Sequence, residues 1–349
     1  MSAQKQITIA GGGLAGLTLG IGLRQRNVPV RIFEAGKYPR HRVCGEFISG
    51  RGEEILKRLG LSELLFGAGA IEARTARFFS KTNAAPLRSL PSPAICVSRF
   101  ELDALLAKHF QQLGGDLREG ERFRENGATE NIIHATGRQV HPVENGWRWF
   151  GLKVHARGVD LDADLELHLV PNGYVGLCKL RGGLVNVCGL FRRRVATHEP
   201  QGSHPSHELL RGETGGLLRE RLERAHFNEN SFCAVAGLPL KPQRASASIE
   251  CRIGDAITMI PPMTGNGMSM AIESADAAIE PLAAFSRGEI SWTAAQEIIA
   301  RRCDELFAMR LRWARWLQWL ILSPAFQNVF VRTFGCSEKF WRTAFERTR

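Results

Sequence analysis

Short apolar runs separated by glycine open the chain. Residues 6–10 predict a buried strand, the stretch after Gly16 to about Gln25 a helix, and Pro29 to Glu34 a second strand. Strand, helix and strand within some 30 residues make a βαβ unit. Ile55, Leu56, Leu59 and Leu64 predict an amphipathic helix over 52–65. Phe100, Leu102, Leu105, Leu106 and Phe110 recur at helical spacing and predict a helix over 99–113. Asn131 to Gly137 predicts a strand that ends in a glycine turn.

The middle of the chain changes period. From Trp147 to Phe191 the pattern alternates, which predicts strands that include 164–169 and 183–188, with a turn at Pro171-Asn172-Gly173. Residues 197–206 predict an exposed loop, and 209–225 a helix interrupted near Gly215 and Gly216. Strand signals return over 231–235 and 248–253, and a long helical region begins near Ser291. No internal repeat and no low-complexity segment occurs.

Composition narrows the class. At 349 residues the chain suits about two domains. Its 44% hydrophobic content, 23% charge and mean hydropathy of −0.15 exclude a polytopic membrane protein and a disordered chain. The net charge of +11 admits acidic partners without choosing one. The lysines and arginines are scattered and no nucleic-acid module occurs, so nucleic acid is not expected. The eight cysteines show no CxxC and no zinc-ligand spacing, which predicts reduced thiols, no metal and a cytoplasmic protein. The glycine-rich apolar start, residues 7–23, is not read as a signal peptide.

Chemistry enters at Gly11-x-Gly13-x-x-Gly16. Placed between a strand and a helix, Gly11 permits a tight turn, Gly13 lets the backbone approach a pyrophosphate, and Gly16 lets the helix pack on the sheet. Leu14 and Ala15 fall in the helix's first turn, whose free N–H groups face the phosphates. Glu34 ends the second strand, with Ala35 after it, and can accept hydrogen bonds from an adenosine ribose. A second signal lies downstream. Gly254-Asp255 follows a strand and can meet a ribityl hydroxyl. Pro261, Pro262, Gly265, Asn266, Gly267 and Met268 form a loop and a glycine-rich helix start that can point N–H groups at a pyrophosphate or a flavin.

Together with Arg99-x-x-x-Asp103 and Ala135-Thr136-Gly137, these segments resemble the FAD-dependent oxidoreductases of the p-hydroxybenzoate hydroxylase fold. Arg42-Val43-Cys44-Gly45-Glu46-Phe47 is similar to the CGE segment of the geranylgeranyl reductase-like branch, which flavin-dependent halogenases approach. The resemblance implies an α/β fold: a Rossmann-type FAD-binding domain with an inserted β-sheet substrate domain and a helical C-terminal tail. The expected boundaries are 1–70, 96–145 and 248–285 for the FAD domain, 71–95 and 146–247 for the substrate domain, and 286–349 for the tail. It further implies that Gly11, Gly13, Gly16, Glu34, Arg42, Arg99, Ala135, Gly137, Gly254 and Asp255 bind FAD, and that 265–268 line the flavin ring. The segment 115–131 is short, so part of the family's small β-meander is expected to be missing.

Two reactions fit a bound flavin: oxygenation of an activated substrate, or hydride delivery to a carbon–carbon double bond with an acid protonating the other end. Cys44 and Glu46 are the candidate acids, because the family places their segment beside the flavin. No second GxGxxG occurs, so hydride is expected to come from NAD(P)H bound transiently over the flavin or from an external reductant. The expected substrate is a hydrophobic, isoprenoid- or polyketide-like molecule, with Trp149, Tyr174, Leu177 and Phe191 as candidate cavity or core residues. Alternatives are an aromatic or polyketide monooxygenase and a flavin-binding partner without turnover. In the tail, Trp313, Trp316 and Trp319 lie among Arg310, Arg312 and Arg315. This pattern suits a core helix, a helix closing a lipophilic channel, or a peripheral membrane contact; partial burial over a channel mouth is expected.

Overall fold

The computed structural model describes residues 4–124, 130–140, 143, 146–195, 207–323, 326–327, 330–334 and 337–349. The chain order begins β1 Ile7–Ala10, α1 Leu14–Arg24, β2 Val30–Glu34, β3 Phe47–Ile48, α2 Arg51–Arg58 and α3 Ser62–Gly67. It continues with β4 Ile71–Phe79, β5 Arg88–Cys96, α4 Arg99–Gln112, β6 Asp116–Glu119 and β7 Ile132–His134. The alternating middle gives β8 Trp147–Arg157, β9 Leu165–Val170, β10 Gly173–Lys179, β11 Val185–Arg194, α5 Leu217–Arg221 and β12 His226–Ala236. The C-terminal part holds β13 Cys251–Arg252, α6 Gly267–Ser286, α7 Trp292–Leu322 and α8 Glu338–Arg347.

Two sheets organise these elements. The first is wholly parallel, in the order β13-β7-β1-β2-β6. Its inner strands β1 and β7 are short apolar runs with little alternation, as in a sheet covered on both faces, whereas β2 alternates and the edge strand β6 is largely charged. Helices α1, α4 and α6 pack around it, and their aliphatic side chains share one core with Ile7, Ile9 and Ile32. The second has the order β12-β8-β11-β10-β9-β4-β5-β3 and is antiparallel except where β4 meets β9. Along β8, Phe150, Leu152, Val154 and Ala156 face a core with Leu210, Leu218 and Leu222. The alternate residues Lys153 and His155 lie on the other face, toward the 41–46 loop.

Several elements differ from expectation. The helix over 52–65 is two helices, α2 and α3, broken near Gly60, whose φ is +70°. The stretch 209–225 holds only a 3₁₀ turn, His207–Arg211, and the five-residue α5. The strand over 248–253 shrinks to two residues. Within the short segment after Gly115, β6 still pairs with β2 at the sheet edge. The loop over 197–206 lies outside the described residues. In the helical C-terminal region, Ser291 caps α7 by accepting from the Ala294 N–H, and Ile299, Cys303, Phe307 and Ala314 pack into the core of the parallel sheet.

Candidate functional site

The turn after β1 is built to leave space. Gly11 has φ +112°, and a Cβ there would lie 2.3 Å from the Ala135 carbonyl oxygen. A Cβ on Gly16 would lie 2.0 Å from the Gly11 carbonyl oxygen, so the helix crosses the strand too closely for any side chain. At Gly13, by contrast, a Cβ would meet nothing within 4 Å. Gly13 caps α1 with no side-chain hydrogen bond, and the first turn, with Leu14 and Ala15, carries no acid. The N-terminal N–H groups therefore face open space with their partial positive charge uncompensated, as an anionic diphosphate requires.

Glu34 fastens the neighbouring loop. It is buried, accepts the Gly12 N–H at 3.0 Å on one oxygen, and accepts the Gly36 N–H at 2.7 Å and Arg40 at 2.6 Å on the other. Ala35 beside it is exposed. Arg42 bridges this loop to α4: its Nε donates to Asp103 at 3.0 Å, and it stands 3.7 Å from Glu34. Arg99 grips the same buried Asp103 with two bonds of 2.8 Å.

On the far side of α1, Gly254 donates its N–H to Ser274 at 2.8 Å and opens a 3₁₀ turn that holds Asp255. Burial pushes the Asp255 carboxyl up, against the pull of Arg138 and Arg99. Arg138, directly after Gly137, has a buried Nε without a partner among the described residues. The Pro262–Thr264 turn, Gly265 and Asn266 then lead into α6, whose Gly267 and Met268 begin a helix with no side-chain cap. A Cβ on Gly267 would meet nothing within 4 Å, and the Asn266 Oδ1 is buried without a partner. Open cradles at Gly13 and Gly267, with unmatched polar atoms between them, fit a dinucleotide with a polar ribityl chain.

Cys44 and Glu46 part company. Cys44 and Gly45 line an apolar cavity of about 240 Å³ between the second sheet, α7 and α8, and the same cavity touches Arg138, Asp255, Pro262 and Gly265. Burial raises the Cys44 thiol, with Arg99 opposing, so it stays protonated near neutral pH. Glu46 is not on the cavity wall. Its φ is +61°, and the backbone turns its carboxylate behind the loop. There it accepts the Arg99 N–H at 3.0 Å and the His155 ring at 2.6 Å, with the Lys153 ammonium at 3.2 Å. Burial raises the carboxyl, but His155, Lys153 and the Arg99 N–H outweigh it and the net shift is downward. Enclosed by these partners, Glu46 anchors the loop and does not line the cavity that Cys44 reaches.

Lys153 also donates to Nδ1 of His41 at 3.1 Å; burial, Lys153 and His155 lower that ring to about 4, so it is a neutral acceptor. The motifs do not reveal Lys153, His155 or Arg138. Lys153 and His155 carry a signal nonetheless, as two polar side chains at i and i+2 in the buried stretch of β8. Of the four residues proposed for the cavity, Tyr174 and Leu177 line it. Trp149 packs in the adjoining core, and Phe191 stacks on Phe150 at 5.5 Å on the sheet's other side. The Tyr174 hydroxyl is buried without a partner. In the tail, Leu317 reaches the cavity while Trp316 and Trp319 are exposed and Trp313 is half-buried.

Comparison with known proteins agrees with this geometry. Residues 4–145 match a family model described as FAD binding domain. No curated protein matches the chain significantly. Among solved structures, p-nitrophenol 4-monooxygenase PnpA from Pseudomonas putida has a TM-score of 0.75 at 14% identity, covering 100% of this chain and 99% of that one. A geranylgeranyl bacteriochlorophyll reductase-like protein from Thermoplasma acidophilum has a TM-score of 0.72 at 16% identity, covering 98% and 95%. PqsL from Pseudomonas aeruginosa, in complex with 2-aminobenzoylacetate, has a TM-score of 0.69 at 17% identity, covering 93% and 100%. Residues 4–145 thus match an FAD-binding domain, and over nearly its whole length the chain has the p-hydroxybenzoate hydroxylase fold.

Proposed function

We propose that the chain transfers electrons through FAD to a hydrophobic small molecule, isoprenoid- or polyketide-like, held in the cavity between the second sheet and α7. The observation that carries this reading is the cavity itself: apolar side chains wall it, and it reaches Cys44, Asp255 and Gly265 on the cofactor side. FAD, when bound, supplies hydride for a double bond or activates oxygen for insertion. The N-terminus of α1, with Gly11, Gly13, Gly16, Glu34 and Ala35, would hold its adenosine diphosphate. Arg42 and Arg99 would add positive charge, Ala135 and Gly137 would leave the backbone clear, and Gly254 and Asp255 would meet the ribityl chain. The 262–268 segment would line the flavin.

The chain's own contribution is enclosure and proton supply. The sheet wall and α7 exclude water from the reacting carbon. The Cys44 thiol, kept protonated by burial, holds a proton at Sγ on that wall, which favours double-bond reduction over oxygenation. NAD(P)H or an external reductant would supply the electrons.

The test is anaerobic reduction of the FAD-loaded protein by NADH or NADPH, followed at 450 nm with and without a prenyl alcohol or an aromatic polyketide-like phenol. Faster bleaching with one ligand, and a reduced product without oxygen, supports the reading. A product formed only after oxygen is admitted assigns oxygenation. Absence of bleaching with either donor and every ligand overturns the enzyme reading in favour of a non-turnover flavin protein.

A further inference from the structure

Helix α7 changes its surroundings along its length. Up to Ala314 its inward residues pack in the parallel-sheet core; Leu317 and Ile321 join the core beside the cavity. Along the second part, the outward face carries Arg312, Arg315, Trp316 and Trp319, all exposed. Trp319 is 61% exposed, Trp316 41% and Phe326 42%. Large apolar side chains this exposed and gathered in one patch mark an interaction surface.

The patch is continuous with the cavity. Trp319 lies against Phe326 at 5.8 Å, and Trp313 against Trp316 at 5.6 Å. Trp316 reaches Phe340 at 6.2 Å, and Phe340 lines the cavity. The electrostatics are one-sided: between Glu305 and Glu338 the chain contains no acidic residue. Arg312 and Arg315 pair with no carboxylate among the described residues.

We propose that this face docks on the surface of an anionic lipid bilayer, so that the mouth of the apolar cavity opens toward lipid. Indole rings favour the headgroup boundary, where an apolar body and a polar N–H are both satisfied. Unpaired arginines in an acid-free segment attract anionic headgroups. No helix among the described residues is long and apolar enough to cross a membrane, and the docking is peripheral. The inference goes beyond the redox reading, because lipid docking requires no turnover.

The FAD-loaded protein is sedimented with vesicles of phosphatidylcholine alone, and of phosphatidylcholine with phosphatidylglycerol, at low and high salt. The expected result is co-sedimentation with the anionic vesicles only, reversed by salt, with a blue shift of tryptophan emission. Arg312→Gln with Arg315→Gln weakens partitioning about 30-fold, at about 1 kcal/mol per arginine. Trp316→Ser with Trp319→Ser abolishes the blue shift. All four side chains are exposed, so both double variants keep their flavin colour.

Wild-type protein that stays in the supernatant with anionic vesicles overturns the proposal, as does unchanged binding by both double variants. A dimer in light scattering that the tryptophan variant loses, without vesicle binding, also overturns it and assigns the face to a second copy. Vesicle binding by a protein that turns over no ligand leaves the docking intact and counts against the redox reading alone.

Discussion

The two sheets bury polarity in opposite ways. In the parallel sheet the buried strand positions are apolar except Glu34, the other charges of β2, β6 and β13 are at least partly exposed, and the chemistry sits where the strands end: at Gly13, at Glu34 and at Asp255 beyond β13. In the mixed sheet the strands themselves carry buried charge. Lys153 and His155 on β8 meet Glu46, and Glu166 and His168 on β9 meet each other at 2.8 Å with Arg221 close by. The first arrangement leaves backbone N–H groups open for a ligand. The second closes side chains on one another. A cofactor site of backbone dipoles can be spelled in glycines, whereas a site of paired side chains depends on which strands adjoin.

The largest effects separate the two uses of glycine in the first sheet. Gly13→Val is expected to abolish FAD binding and leave the far-UV spectrum unchanged, because its Cβ meets no protein atom. Gly16→Val is expected to lose both, since its Cβ would overlap the Gly11 carbonyl oxygen. The 450 nm absorbance and circular dichroism of the two variants read this contrast. Equal loss of secondary structure in both would remove the argument that Gly13 is kept for a ligand.

Next is the charged centre of the second sheet. Lys153 and Glu46 are fully buried, so Lys153→Met leaves an anion with one fewer cation. Breaking a buried pair in this way costs about 3–5 kcal/mol. Glu46→Gln with Lys153→Met is expected to cost less than the two single changes added. Urea unfolding of the three variants measures it, and strict additivity would mean that the pair does not interact.

Asp255 carries a smaller expectation. With a ribityl hydroxyl as its partner, Asp255→Ala weakens FAD affinity about 5–150-fold, the cost of about 1–3 kcal/mol for an unmatched buried polar group. Fluorescence titration with FAD measures it, and unchanged affinity would detach Asp255 from the cofactor.

Acid tests the second sheet's cluster by its sign. The His41 ring is lowered to about 4, so between its ordinary value near 6.5 and that point the unfolded chain binds a proton that the folded chain does not. Stability therefore falls as pH falls through this window. The lowered Glu46 carboxyl adds a further loss below its ordinary value. Melting temperatures from pH 7 to 4 are expected to decline, and His41→Asn to flatten the upper part of the decline. A flat profile in the wild type would contradict the depressed ring.

This contrast also explains what could be read from the sequence. The βαβ unit, its glycines and the helices α1, α4 and α7 were legible because each depends on local spacing. Strands β4 and β5 escaped notice, since Pro91 and Pro93 within β5 and charges along β4 blur their alternation. Glu46 was legible as a motif residue but not as an anchor, because its partners are 107 and 109 positions away at Lys153 and His155, on a strand whose neighbours no local pattern fixes. Arg138 lay one residue past a recognised glycine turn, and only the approach of Asp255 gives it meaning.

The smallest effect runs opposite to the usual direction of a core substitution. Tyr174 is buried on the cavity wall, and its hydroxyl has no hydrogen-bond partner among the described residues. In the ligand-free protein that hydroxyl is a cost, so Tyr174→Phe is expected to raise stability by about 1 kcal/mol. The ring and its packing against the neighbouring strands stay the same, and the urea midpoint should rise at constant slope. A ligand that brings a carbonyl or hydroxyl oxygen to this wall would reverse the balance, because only the tyrosine can donate to it. The variant should then lose affinity for oxygen-bearing ligands and keep it for pure hydrocarbons of the same size. Stabilisation without that selectivity would leave Tyr174 as part of the wall; selectivity would make it the polar contact by which an otherwise apolar cavity tells one hydrophobic molecule from another.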